Sequence, residues 1–169
     1  MIKRTRSKFG NDVFFSPWDC PLSGKDPLFF IGLLEVYDIR FFLGGKEAIY
    51  VVTIPRRSVF RLIDETQLGT LRELLTEAKG EVPLGKNEVW NHKAWKAWGT
   101  PFLKELGALV FLDYPKEDQF QYIILTEDES PEFICYTPKI DVYPGKNDIE
   151  IMKRLFEEDL RTRQQEGFA

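Results

Sequence analysis

The spacing of apolar and polar positions changes several times along the chain, and each change marks an element. Positions 1–12 are polar and basic, with Lys3, Arg4, Arg6 and Lys8, and read as an irregular arm. Phe14-Phe15-Ser16-Pro17-Trp18 reads as a short extended piece. Pro17, Pro21, Ser23, Gly24 and Pro27 then hold the chain in loops. From 29 to 43, β-branched and aromatic residues follow one another. Gly44-Gly45-Lys46 turns the chain, and 48–54 returns as a strand that Pro55 ends. This predicts a β-hairpin whose two glycines supply the positive φ of a tight reversal.

The middle of the chain reads as helical. A short helix is predicted over 58–63. Over 66–79, Leu68, Leu71 and Leu75 share a face that Leu74 widens, and Gly80 stands where a left-handed cap ends the helix. A further helix over 87–98 sets Trp95 and Trp98 one turn apart. Thr100-Pro101 starts a short turn, with Thr as cap and Pro at the first helical position, and Gly107 closes it.

Strands then return over 108–112, 120–125 and 133–136, separated by a turn at Pro115-Lys116-Glu117-Asp118 and an acidic turn at Glu127-Asp128-Glu129-Ser130-Pro131. Short turns between consecutive strands predict an antiparallel meander. Positions 138–145 read as loop. Asn147 with Glu150 makes a capping box for a last helix, whose apolar face is Ile149, Met152, Leu155, Phe156 and Leu160. Positions 162–169 read as a frayed tail. The sum is an α+β fold: a mainly antiparallel sheet, built from an N-terminal hairpin and a C-terminal three-strand meander, with helices packed on one face. There is no repeat and no linker-like stretch, so 1–169 is read as a single domain.

Composition narrows the class. At 169 residues, with 43% hydrophobic and 30% charged positions, the chain has the balance of a globular domain. Fourteen Phe and four Trp predict a bulky core with aromatic side chains to spare for a partner surface. The net charge is −4, which speaks against a general affinity for phosphate backbones. No apolar run reaches the roughly 18 residues of a membrane span, and no signal-like region follows the basic start. Two distant cysteines, Cys20 and Cys135, make no disulfide framework, and a cytoplasmic location is expected.

Candidate chemistry is sparse. His92 is the one histidine, too few for a His-rich metal site, and two cysteines cannot replace the missing imidazoles. Asp19-Cys20 with His92 downstream has the order of a thiol centre. However, Pro21 and Pro27 prevent a long helix from starting at Cys20, so the dipole that activates such a thiol is missing. No Gly-x-Ser-x-Gly elbow and no phosphate-binding glycine loop occurs. Asp113, Glu117, Asp118, Glu127, Asp128 and Glu129 gather on neighbouring turns, where they could hold a divalent cation or simply form a solvated rim. The triplet Glu77-Ala78-Lys79 ends a predicted helix, whereas a nuclease of the Glu-x-Lys kind needs it on a strand.

Two sets of residues remain. Trp90, Trp95 and Trp98 are candidate protein-binding residues, by analogy with the aromatic anchors of interfaces. Arg56, Arg57, Arg61, Lys93 and Lys96 are candidate nucleic-acid-binding residues, with bases stacking on the interleaved Trp side chains. No catalytic residue, metal ligand or cofactor motif is assigned. The expected function is a non-catalytic protein-binding domain of inhibitor, immunity or adaptor type, whose partner is another protein. The alternative is a nucleic-acid-associated protein or a carboxylate-dependent nuclease or phosphoesterase. An enzyme needs two or more of Asp19, Cys20, His92, Asp113 and Asp128 to converge in a pocket. A nucleic-acid module needs its basic residues on one face. A protein binder needs an exposed apolar patch or an open sheet edge. Glu35, set among apolar strand positions, becomes a site candidate only if it is buried.

Overall fold

The computed structural model describes residues 5–6, 12–22, 26–64, 67, 92–113, 115, 118–145 and 147–167. Ten strands fall into two antiparallel sheets among these residues: β1 (Thr5–Arg6), β2 (Asp12–Pro17), β3 (Phe29–Glu35), β4 (Ile39–Gly44), β5 (Ala48–Ile54), β6 (Val59–Ile63), β7 (Ala94–Trp98), β8 (Gln121–Ile124), β9 (Ser130–Ile134) and β10 (Lys139–Pro144). Two helices are described, α1 (Pro101–Leu106) and α2 (Asp148–Gln165). One sheet has the order β10-β5-β4-β3, the other β1-β2-β7-β8-β9-β6. The fold is sheet-rich α+β.

The run from 29 to 54 is apolar almost throughout because the central strands of the smaller sheet are covered on both faces. Ile39, Phe41, Leu43, Val52 and Ile54 point to one side, where they pack against Ala94, Tyr122, Ile124 and Phe133 of the larger sheet. Phe41 stacks on Phe133 at 5.5 Å, and Phe133 on Tyr122 at 5.3 Å, so aromatic rings carry the contact between the sheets. Phe42, Ile49 and Val51 point to the other side and meet Leu155 of α2. Cys135 is buried in the core between the sheets, where burial pushes its thiol up to about 12.

Helix α1 sits elsewhere. Phe102 and Leu103 cluster with Val110 and Phe111, which follow it in the chain, and with Ile134 of the larger sheet. The two described helices therefore serve different sheets, in place of a single sheet with helices gathered on one face.

Several local expectations hold. Thr100 caps α1, accepting from the Leu103 amide at 3.1 Å, with Pro101 at its start. Asn147 caps α2, accepting from the Glu150 amide at 3.3 Å, while its side-chain amide donates to Glu150 Oε2 at 2.5 Å. Strands at 48–54 and 121–124 fall where strands are expected, whereas β9 begins at Ser130, inside the expected turn, and ends at Ile134, two residues short of the expected strand end.

Other expectations are overturned. The extended stretch 29–43 is two strands, β3 and β4, paired to each other across a turn at 36–38. In place of the helix expected over 58–63 stands strand β6, because Val59, Phe60 and Ile63 find pairing partners on β9. Residues 94–98 are likewise strand β7, held between β2 and β8. The run 108–112 is not a strand. After Gly107 the chain stays in a 3₁₀ turn, with the Val110 and Phe111 amides both donating to the Gly107 carbonyl, at 3.0 and 2.8 Å. The meander loses that strand, and the segment read as loop at 138–145 supplies β10 to the other sheet, paired with β5. Helix α2 runs to Gln165, beyond the point where fraying was expected. Of the basic arm, Thr5–Arg6 pairs with β2.

Gly44 and Gly45 do not use positive φ, which among the described glycines occurs at Gly99, Gly145 and Gly167. The need at Gly45 is space: a Cβ there would stand 2.7 Å from the Tyr50 ring. Apart from Gln67, the expected helix over 66–79 lies outside the described residues, as do its cap Gly80, the triplet Glu77-Ala78-Lys79, positions 87–91 with Trp90, and Glu117.

Candidate functional site

The strand conformation of 94–98 separates the residues that a helix would have united. Successive side chains on a strand face opposite ways, so Trp95 and Trp98 part company. Trp95 is 2% exposed, and its indole N–H donates to the His92 carbonyl at 2.9 Å. It is core and offers no surface to a partner. Trp98 is half-buried, with its ring 5.6 Å from Phe120. Lys93 is buried and faces Glu127 at 3.5 Å. Lys96 lies on the Tyr122 side of its strand, with its ammonium 4.8 Å from the centre of the Phe120 ring.

The basic candidates do not form one face. Arg61 pairs across to Glu132 on the side of the larger sheet away from Tyr122 and Phe133, opposite Lys96. Arg56 and Arg57 are exposed in the turn before β6. The Arg61 guanidinium stacks on Phe102 at 4.5 Å and stands in ion-pair contact with Glu132 Oε1, without an aligned hydrogen bond. Burial pulls the Arg61 guanidinium down, and Glu105 opposes the shift.

The carboxylates and thiols read as catalytic candidates are spread apart. The Asp128 carboxylate accepts from the Phe30 amide at 2.8 Å and so closes a loop onto β3. Glu127 faces Lys93, and Asp113 and Asp118 are exposed. Cys20 packs against the core between the sheets, and the His92 ring meets the Trp95 edge at 5.7 Å. Among the described residues, no group of three or more His, Cys, Asp or Glu could hold a metal ion. Glu35 is exposed, which removes it as a buried-carboxylate candidate. No helix among the described residues is long and apolar enough to cross a membrane.

What the fold does assemble is an apolar cleft beside α1. Thr100 and Pro101 start this helix, the 3₁₀ turn Gly107–Leu109 ends it, and the chain then doubles back through Phe111 and Leu112. The turn buries Val110 and Phe111 but leaves Leu109 67% and Leu112 80% exposed. Tyr136, two residues past β9, sets its ring 5.1 Å from Phe111 in an edge-on contact. Gly99, Leu103, Lys104, Phe111, Leu112 and Gln119 line a cleft of about 620 Å³. This is the size of a site that takes up a small molecule or the anchor residues of a partner chain.

A chain of polar side chains braces the cleft from within. Thr100 Oγ1 donates to Gln121 Oε1 at 2.5 Å. Gln121 Nε2 donates to Glu132 Oε2, and Arg61 approaches the other carboxylate oxygen. The hydrogen bonds from Thr100 through Gln121 to Glu132 tie β8 and β9 to the start of α1, and Glu132 Oε1 has the Arg61 charge beside it but no hydrogen bond.

Sequence reasoning missed Leu109 and Leu112 because an apolar run of five was read as a buried strand. Comparison with protein-family models, with curated protein sequences and with solved structures gives no match.

Proposed function

We propose that the chain is a non-catalytic protein-binding domain, acting in the cytoplasm as an inhibitor or adaptor, and that a partner protein docks on the α1 cleft. The observation that carries this reading is the exposure of Leu112 on an apolar cleft that Leu103 and Phe111 also line, with Leu109 exposed three residues before it and the exposed Tyr136 ring against Phe111. Three large apolar side chains gathered on a surface mark an interaction site more often than scattered ones do. Aromatic and aliphatic anchors in a walled cleft are also the form that binding hot spots take.

The test is affinity purification of the tagged chain from its native cell, with and without nuclease, beside the double variant L109D/L112D. Both positions are exposed, so the variant keeps its fold, as circular dichroism checks. A stoichiometric protein that survives nuclease treatment and is lost with the variant supports the reading. Recovery of nucleic acid, or loss of every partner on nuclease treatment, overturns it in favour of the nucleic-acid alternative.

A further inference from the structure

A second cavity lies on the α2 side of the smaller sheet, where the first residue of α2 faces the turn between β4 and β5. Pro27, Phe29, Ile31 and Ile49 give it apolar walls. Ile31 and Ile49 also belong to the apolar layer between α2 and the sheet, so the cavity brings that layer to the surface. Its volume is about 450 Å³, within the range of sites that take up small molecules.

Gly44, the last residue of β4, and Gly45 also line the cavity. Neither uses positive φ, so the backbone does not require glycine there. A Cβ on Gly44 would stand 3.2 Å from Cδ1 of Ile31, so a longer side chain would crowd one of the cavity's own walls. Phe29 is 50% exposed and still has ring surface to bury.

Two opposite charges complete the lining, Lys46 and Asp148. They do not pair with each other, and neither takes part in the ion pairs among the described residues. Asp148 opens α2, where the helix dipole favours a carboxylate, and its Oδ1 accepts from the Ile149 amide at 2.9 Å. Its Oδ2 has no hydrogen bond among the described residues. Lys46 is exposed and donates to no described side chain. Each charge therefore has capacity left, on either side of an apolar cavity.

We infer that this cavity binds a free amino acid with an apolar side chain. Its carboxylate meets Lys46, its ammonium meets Asp148, and its side chain lies against Phe29, Ile31 and Ile49. A zwitterion is the small ligand that answers both charges at once. A simple anion would face the Asp148 carboxylate as well as Lys46, and a simple amine would face the Lys46 ammonium as well as Asp148. The apolar walls then select the side chain, because a polar one would lose its water there without gaining a partner. The inference uses a surface separate from the α1 cleft and goes beyond the reading given for it.

Ligand-observed NMR on the full chain tests this, with L-phenylalanine and L-leucine as probes and L-serine as the polar control. Saturable binding of the two apolar amino acids, and none of serine, is expected. N-acetyl-phenylalanine lacks the ammonium and phenylalaninamide lacks the carboxylate, so each should bind about 10-fold more weakly than phenylalanine, or worse. K46Q and D148N each remove one charge at nearly constant size. Each should weaken phenylalanine binding by a similar factor, while circular dichroism checks that the fold is kept. Failure of both apolar amino acids to bind overturns the inference. Serine binding as tightly as phenylalanine overturns it too, as do blocked forms that bind as well as the parent, or binding that K46Q and D148N leave unmoved. L109D/L112D should not change phenylalanine binding. Loss of binding in that variant would move the ligand to the α1 cleft and overturn the assignment, so the cleft reading and this one fail separately.

Discussion

Arg40 on β4 and Asp159 on α2 form a two-pronged ion pair, with Nη2 2.5 Å from Oδ1 and Nε 3.1 Å from Oδ2. Asp159 is buried, and Arg40 is nearly so. Burial pulls the Arg40 guanidinium down, but the hydrogen bond and charge of Asp159 outweigh it and the net shift is upward. The pair sits at the end of an otherwise apolar contact between helix and sheet, and so selects the register in which α2 lies. This is the kind of role buried pairs serve better than net stabilisation.

Asp159→Ala should therefore cost about 3–5 kcal/mol, because it strands a buried guanidinium. Replacing both partners, Arg40→Met with Asp159→Leu, should come within about 1 kcal/mol of wild type or exceed it. Urea unfolding of the two variants checks this. Equal losses in the single and double variants would show that the charge was not what mattered.

Glu132 Oε2 accepts from Gln121, and the Arg61 guanidinium stands in ion-pair contact with Oε1. Glu132→Gln puts a donor where only acceptors fit, whichever way its amide turns, and should cost about 3 kcal/mol. Thr100→Val removes both the cap on α1 and the anchor on Gln121, and should cost about 1–2 kcal/mol. Thermal unfolding measures each. If Glu132→Gln melts with wild type, Glu132 is not held as a carboxylate between two donors.

Asp38 gives a pH dependence with a definite sign. Burial raises its carboxyl above the ordinary 3.8, and Asp159 adds to the shift while Arg40 opposes it. The fold thus favours protonated Asp38. Its contribution to stability is full below pH 3.8 and is lost as pH rises through the raised value. Asp38→Asn should match wild type at low pH and become the more stable of the two above that range. Two stability–pH curves that run parallel would refute the assignment.

Signals confined to a few neighbouring residues were legible in the sequence. Thr100-Pro101 and Asn147 with Glu150 are read correctly because a cap is satisfied within one helical turn, without help from the rest of the chain. The α+β class and the strand at 48–54 were legible for the same reason, since β-branched and aromatic density is a local property. Of the candidate site residues, Trp98 and Lys96 meet through Phe120, a contact that pairing of β7 with β8 creates and no spacing in the sequence shows.

What only the tertiary structure decided was pairing across distance. Residues 58–63 and 94–98 carry patterns that a helix could also accept, and their partners on β9, β2 and β8 lie tens of residues away. Pairing satisfies their backbone groups and buries their side chains at once, and that combined gain outweighs local preference. The same holds for the surface. Composition shows that the chain is rich in Phe and Leu, but which of them stay in water depends on which faces other elements cover. Trp95 goes inside because β7 is a central strand, and Leu112 stays outside because the chain runs from α1 into a 3₁₀ turn and joins no sheet there.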